Sequence, residues 1–128
     1  MNVHAQRGAV GEARVIAKLI EMGYICSVPV VHNARYDVVI DGPVANARVQ
    51  IKRGYFSDGK FRVDLRGKNS YNGKEAYTED EIDAFIIYNA RDDEAYWFWF
   101  DETPKTGMKR DISSYRPNEI TLRLDPNY

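Results

Sequence analysis

Apolar positions recur every three or four residues over 7–22, where Ala9, Ala13, Ile16, Ala17 and Ile20 mark one face. Val10 and Leu19 widen that stripe, and such a period predicts an amphipathic helix. Gly23 supplies the left-handed residue that commonly ends one. Beyond it the period shortens to two. Residues 24–31 read as a short apolar strand, which Pro29 confines to an edge or an irregular path. A connection follows over 32–36, then a strand at 37–40, a turn at Asp41-Gly42-Pro43 and a longer strand at 47–56. Ser57-Asp58-Gly59 predicts a hairpin turn into 60–66, where Phe61, Val63 and Leu65 alternate with Arg62, Asp64 and Arg66. Residues 67–73 are polar and loop-like. Thr78 followed by Glu81 can cap a short turn before a strongly apolar strand at 82–88. A second hairpin turn over 91–94 leads to its aromatic partner at 95–100. Residues 104–115 look irregular or weakly helical, and 119–124 look like a last strand. The resulting expectation is one α+β domain over 1–128, with the N-terminal helix packed on a central mixed sheet.

Composition narrows this without changing it. Hydrophobic residues at 44% and charged residues at 29% are ordinary for a soluble globular chain. No apolar run approaches the roughly 20 residues of a membrane span. The first eight residues lack a signal-peptide layout, and the lone Cys26 excludes an intrachain disulfide. The expected location is cytoplasmic. A net charge of −1 argues against nonspecific coating of nucleic acid, but the charge is unevenly placed. Residues 47–70 carry seven bases against two acids, whereas 71–102 carry ten acids against two bases. The basic segment therefore offers a local face for phosphates, or simply a solvated strand surface.

The most chemical stretch is 36–54. Asp37 opens one predicted strand, and Gln50 and Lys52 lie two apart on the next, so they share a face. Together they are expected to meet at one edge of a small sheet. A carboxylate, an amide oxygen and an ammonium are the parts needed to hydrolyse a phosphodiester. Glu12 shares its helix face with Ile16 and Leu19, where a lone carboxylate is costly without a cation beside it. Its other reading is an exposed glutamate near a helix start.

In order, the chain presents Gly11-Glu12 on a helix, Leu19, Gly23-Tyr24, then Tyr36-Asp37-Val38-Val39-Ile40 and Val49-Gln50-Ile51-Lys52. This order resembles the PD-(D/E)XK nuclease superfamily, which implies a restriction-endonuclease-like α+β fold. More closely it is similar to the small branch holding group I intron homing endonucleases, and also to archaeal Holliday-junction resolvases. The resemblance covers 7–54 well and later segments more loosely. It implies Mg²⁺, with Mn²⁺ as a substitute, held by Asp37, the Ile51 carbonyl and Glu12. Lys52 would stabilise developing charge and orient water, and Gln50 would position that water. Gln50 departs from the family's Asp or Glu and brings no charge, although some homing endonucleases of this type carry glutamine there. The family's core helix between its third and fourth strands has only 67–81 to occupy.

The implied activity is metal-dependent DNA cleavage, site-specific on duplexes or directed at a four-way junction. Arg53, Lys60, Arg62, Arg66 and Lys68 are the expected backbone contacts, because phosphate contacts supply most affinity. Cutting both strands needs two sites, which implies a homodimer or homotetramer. The aromatic run 96–100 could supply an interface but suits a core better. His4 and His32 lack ligand-spaced partners, and Asp83 reads as a structural acid. Two other readings stand beside the nuclease: a catalytically weakened nuclease fold that binds nucleic acid, and an unrelated α+β interaction protein.

Overall fold

The computed structural model describes residues 2–31, 33–42, 46–68 and 73–111. Its first element is helix α1 (Val3–Glu21), which starts four residues earlier than the apolar period suggests. Asn2 explains the earlier start, because its side chain accepts a hydrogen bond from the Ala5 amide at 2.8 Å. Gly23 ends the helix as expected, with φ at 94°. The Gly23 amide donates to Ile20 O and the Tyr24 amide to Leu19 O, the paired bonds of a Schellman cap.

The buried face of α1 is Gly11, Val15 and Leu19, not the alanine-rich stripe. Val10 and Ile20 are instead exposed. Gly11 favours this rotation: a Cβ there would meet Tyr88 Cδ2 at 3.1 Å, so glycine lets the helix settle this close without displacing the ring.

That sheet has five strands in the order β1 (Ile25–Ser27), β2 (Val38–Asp41), β3 (Asn46–Arg53), β8 (Ala84–Asn89) and β9 (Glu94–Trp99). Its pairs are antiparallel except β3 with β8, which run parallel, so the sheet is mixed as expected. β1 is an edge strand, and regular pairing ends two residues before Pro29.

The expected long strand at 47–56 divides at Gly54. β3 stays in the central sheet, while β4 (Tyr55–Ser57) joins a second sheet in the order β10 (Gly107–Asp111), β5 (Lys60–Asp64), β4. A Cβ at Gly54 would drive into the Phe61 ring, so this crossing point also requires glycine. Between β4 and β5, Asp58 and Gly59 both have positive φ, 53° and 73°, the geometry of a tight hairpin turn. β10 replaces the irregular or weakly helical stretch expected there. It pairs antiparallel with β5, an attachment that local periodicity does not encode. Likewise part of the expected loop at 67–73 is a strand: β6 (Arg66–Lys68) pairs with β7 (Lys74–Ala76) where the family's core helix was sought. The strand expected over 119–124 lies outside the described residues, as do His32 and Pro43.

Two apolar cores result, one on each face of the central sheet. Val15 and Leu19 of α1 pack with Val38, Ile40, Val49, Ile51 and Ile86. On the other face Phe61, Val63 and Leu65 pack with Phe85, Ile87, Tyr96 and Phe98. The aromatic strand is therefore core, with Tyr96, Trp97 and Phe98 all buried. Asp83 has the structural role expected of it. Its carboxylate accepts from the Arg48 amide at 2.8 Å and pairs with the Arg48 guanidinium at 2.9 Å, and that guanidinium also donates to the Glu79 and Asp80 carbonyls.

Candidate active site

The antiparallel register of β2 with β3 places Val38 opposite Val49. Asp37 therefore stands one residue before β2, where its own amide still donates to Val49 O at 2.9 Å. Beyond that point the Ile51 amide has no strand partner. Asp37 Oδ2 accepts it at 2.9 Å, which satisfies the donor and pins the carboxylate against β3. β3 alternates as expected: Ala47, Val49 and Ile51 are buried under α1, and Arg48, Gln50 and Lys52 are half-buried on the opposite face. Gln50 Nε2 donates to Ile51 O at 3.4 Å, so the amide lies along the edge of that carbonyl.

Glu12 joins this group from α1. It is half-buried, so the reading of an exposed helix-start glutamate does not hold. Burial raises its pKa first, and the charge of Asp37 raises it further. Burial also pushes Asp37 up, over the opposing pull of the Ile51 amide and Lys52. Asp37 thus sits close enough to disfavour the charge of Glu12. Among the described residues no group of three or more His, Cys, Asp or Glu side chains converges.

Lys52 enters from the other face of β3. Its Nζ donates to Arg66 O at 2.8 Å and stands 5.3 Å from the centre of the Tyr77 ring. Burial lowers its pKa, against the attraction of Asp37 and Asp64. Glu12, Asp37, Gln50 and Lys52 thus gather at one end of the interior strands β2 and β3, not at a sheet edge as expected.

The chain belongs to the PD-(D/E)XK endonuclease family. The pattern of that family matches residues 1–120. The fold is also that of a solved bacterial homing endonuclease, I-Ssp6803I, with a TM-score of 0.74 at 21% identity. The alignment covers 94% of this chain and 88% of that one. No curated protein matches the sequence.

Around the candidate centre lie three residues that sequence reasoning missed. Arg35 rests 4.1 Å from the Tyr77 ring centre, pairs with Glu81 at 2.9 Å and donates to the Glu75 and Ala76 carbonyls. Tyr77 thus lies within reach of two cations, and burial pushes its hydroxyl up to about 12. Asp64 is held well below the usual carboxylate range by Arg66, and also by Lys74 at 2.6 Å. For Arg35 no signal exists, since it sits at a bend in the connection before β2 and its partners lie far along the chain. Nor does one exist for Tyr77 and Asp64, because β7 and its pairing were not foreseen.

The candidate DNA contacts are dispersed. Arg53 ends β3 and donates to Arg7 O at 3.4 Å. Lys60 and Arg62 lie on the outer side of β5, and Arg62 Nη2 approaches Asp58 at 3.9 Å. Arg66 is tied to Asp64 at 3.1 Å, so part of its charge is already answered. Lys68 closes β6. No helix among the described residues is long and apolar enough to cross a membrane.

Proposed function

We propose that this protein is a metal-dependent DNA endonuclease whose hydrolytic centre is Glu12, Asp37, Gln50 and Lys52. The carrying observation is the pair of half-buried carboxylates, Glu12 and Asp37, both pushed toward the neutral form beside a half-buried lysine. An added cation stabilises such a pair as two anions. The donor set fits Mg²⁺ or Mn²⁺: Asp37, Glu12 and the Ile51 carbonyl are all oxygen donors, and Mg²⁺ needs only one or two carboxylates. A bound divalent ion would polarise the scissile phosphate and acidify the attacking water.

The chain's own side chains supply the rest. The Ile51 amide fixes the Asp37 carboxylate, so that ligand does not reorganise during the reaction. Lys52 presents its ammonium to charge developing on the phosphate, and its lowered pKa suits it to exchange a proton with the attacking water. Gln50 hydrogen-bonds that water, contributing orientation without charge.

Duplex cleavage at a specific site is the mode we favour, since the similar fold is that of a homing endonuclease. One chain carries one such centre, so double-strand cutting calls for a second copy. β9 is spent in the core. The exposed Ile25, Val28, Val30 and Val31, on and just beyond edge strand β1, are the surface we assign to that copy.

The test is incubation with supercoiled plasmid and with a synthetic four-way junction, in Mg²⁺ and then Mn²⁺, beside Asp37→Ala and Lys52→Ala. Metal-dependent cutting lost in both variants supports the centre, and the preferred substrate separates duplex cleavage from junction resolution. Cutting retained in either folded variant overturns the assignment. Binding without cutting would favour a weakened, DNA-binding role, for which the uncharged Gln50 is the only motive.

A further inference from the structure

A cleft of about 390 Å³ opens at the C-terminal end of β3, and three arginines, Arg7, Arg53 and Arg91, line it. No carboxylate is among its lining residues. The parallel register of β3 and β8 explains the convergence. It sets Arg53 level with Tyr88, so the end of β3 and the Asn89-Ala90-Arg91 turn share one end of the sheet. Asp37 and Lys52 lie at that same end, on the neighbouring pair of strands.

This cleft is built rather than incidental. Asn89 is 1% exposed, and its side chain holds the turn from within. Its Oδ1 accepts from the Arg91 amide at 3.1 Å, while its Nδ2 donates to Asp92 and to the Tyr96 hydroxyl. The Arg91 guanidinium lies 3.8 Å from the Phe56 ring centre and pairs with Asp92 at 2.8 Å, which fixes its direction and leaves Nη1 to donate. Arg53 reaches back to the Arg7 carbonyl, joining α1 to the cleft. At its mouth Tyr55 is 56% exposed, and it pairs across β4 and β5 with Arg62. The basic surface therefore continues onto the hairpin.

The cleft's chemistry points to the ligand: three guanidinium side chains with no carboxylate among the lining residues suit a polyanion. Arg53 directly follows Lys52, and Arg7 lies on the helix that carries Glu12. We propose that the cleft of Arg7, Arg53, Arg91 and Tyr55 binds the phosphodiester backbone of duplex DNA flanking the bond that is cut. This rests on the endonuclease reading above, and it assigns Arg7, Tyr55 and Arg91 a role that charge runs along the chain do not reveal.

The test is fluorescence anisotropy of a labelled 30-base-pair mixed-sequence duplex titrated with the full chain over a range of salt. Arg7→Ala and Arg91→Ala are compared with Lys18→Ala, a charge removed elsewhere on α1, after thermal melts establish that each variant is folded. Arg7→Ala sits in the exposed first turns of the helix and keeps the test open if Arg91→Ala fails to fold. Each cleft variant is expected to weaken binding several-fold and to lower the salt slope by about one, with Lys18→Ala unchanged. Affinities and slopes equal to wild type, or an equal loss in Lys18→Ala, overturn the cleft while the endonuclease reading stands. A wild-type chain that binds no duplex at any salt overturns both. Cleft-dependent binding confined to RNA overturns the duplex assignment.

Discussion

Asp37 carries two duties that pull in opposite directions. Burial opposes its charge, while its hydrogen bond from the Ile51 amide and the nearby Lys52 favour the carboxylate. A carboxyl pKa raised in the folded chain means that the charge costs stability at neutral pH. That cost is relieved as pH falls through the folded value toward the ordinary 3.8. Asp37→Asn keeps an oxygen for the Ile51 amide and removes the charge. With metal chelated, the variant is expected to melt above wild type at neutral pH, and the gap is expected to close on acidification. Thermal denaturation followed across pH in EDTA checks this; equal melting points at neutral pH would contradict it. Asp83 has the opposite sign. Its pairing with Arg48 lowers its pKa, so its contribution is present above the ordinary carboxylate range and lost as pH falls through the folded value. Asp83→Asn is therefore expected to lower the melting point at neutral pH and to flatten its acid limb. The Asp37-Gln50-Lys52 grouping was legible in the sequence because strand alternation is local, but its place at the end of interior strands rather than at a sheet edge was not. Glu12 was legible only as half of an ambiguity. Arg35 and Tyr77 were not, because they reach Lys52 through β7, whose pairing with β6 depends on contacts outside its own three residues.

Glycines decide how the elements meet. Gly11 lets α1 settle against Tyr88, and Gly54 lets the chain leave the central sheet for the second one. Gly54→Ala forces a Cβ into the Phe61 ring and is expected to destabilise the fold by about 1–3 kcal/mol or more through overpacking. Urea denaturation measures it, and a loss under about 0.5 kcal/mol would show that the ring moves freely aside. Helix, hairpins and apolar strands followed from period and turn chemistry. The buried face of α1 did not, since alanines and valines occur all round it and tertiary contact chose Gly11, Val15 and Leu19. The division of the expected strand at Gly54 was also hidden, because alternation continues across it while the sheet changes.

At the scale of the whole molecule, α1 and the second sheet cover opposite faces of one mixed sheet, and the candidate centre occupies an end of its interior strands that both approach. A cluster of exposed apolar positions, Ile25, Val28, Val30 and Val31, lies on and beyond β1. Val30 is 95% exposed and holds up nothing in the core, so Val30→Asp tests association apart from folding. It is expected to shift the chain toward monomer in sedimentation velocity with its melting profile otherwise preserved. A wild-type chain that sediments as a monomer at high concentration would contradict the assigned surface. The central claim, that Glu12 and Asp37 form a cation site beside Lys52, is tested without knowing any DNA target. Calorimetric titration of Mn²⁺ and Mg²⁺ into wild type and Asp37→Asn is that measurement. The account predicts saturable binding by wild type that is lost in the variant; no binding by wild type, or equal binding by both, would contradict it.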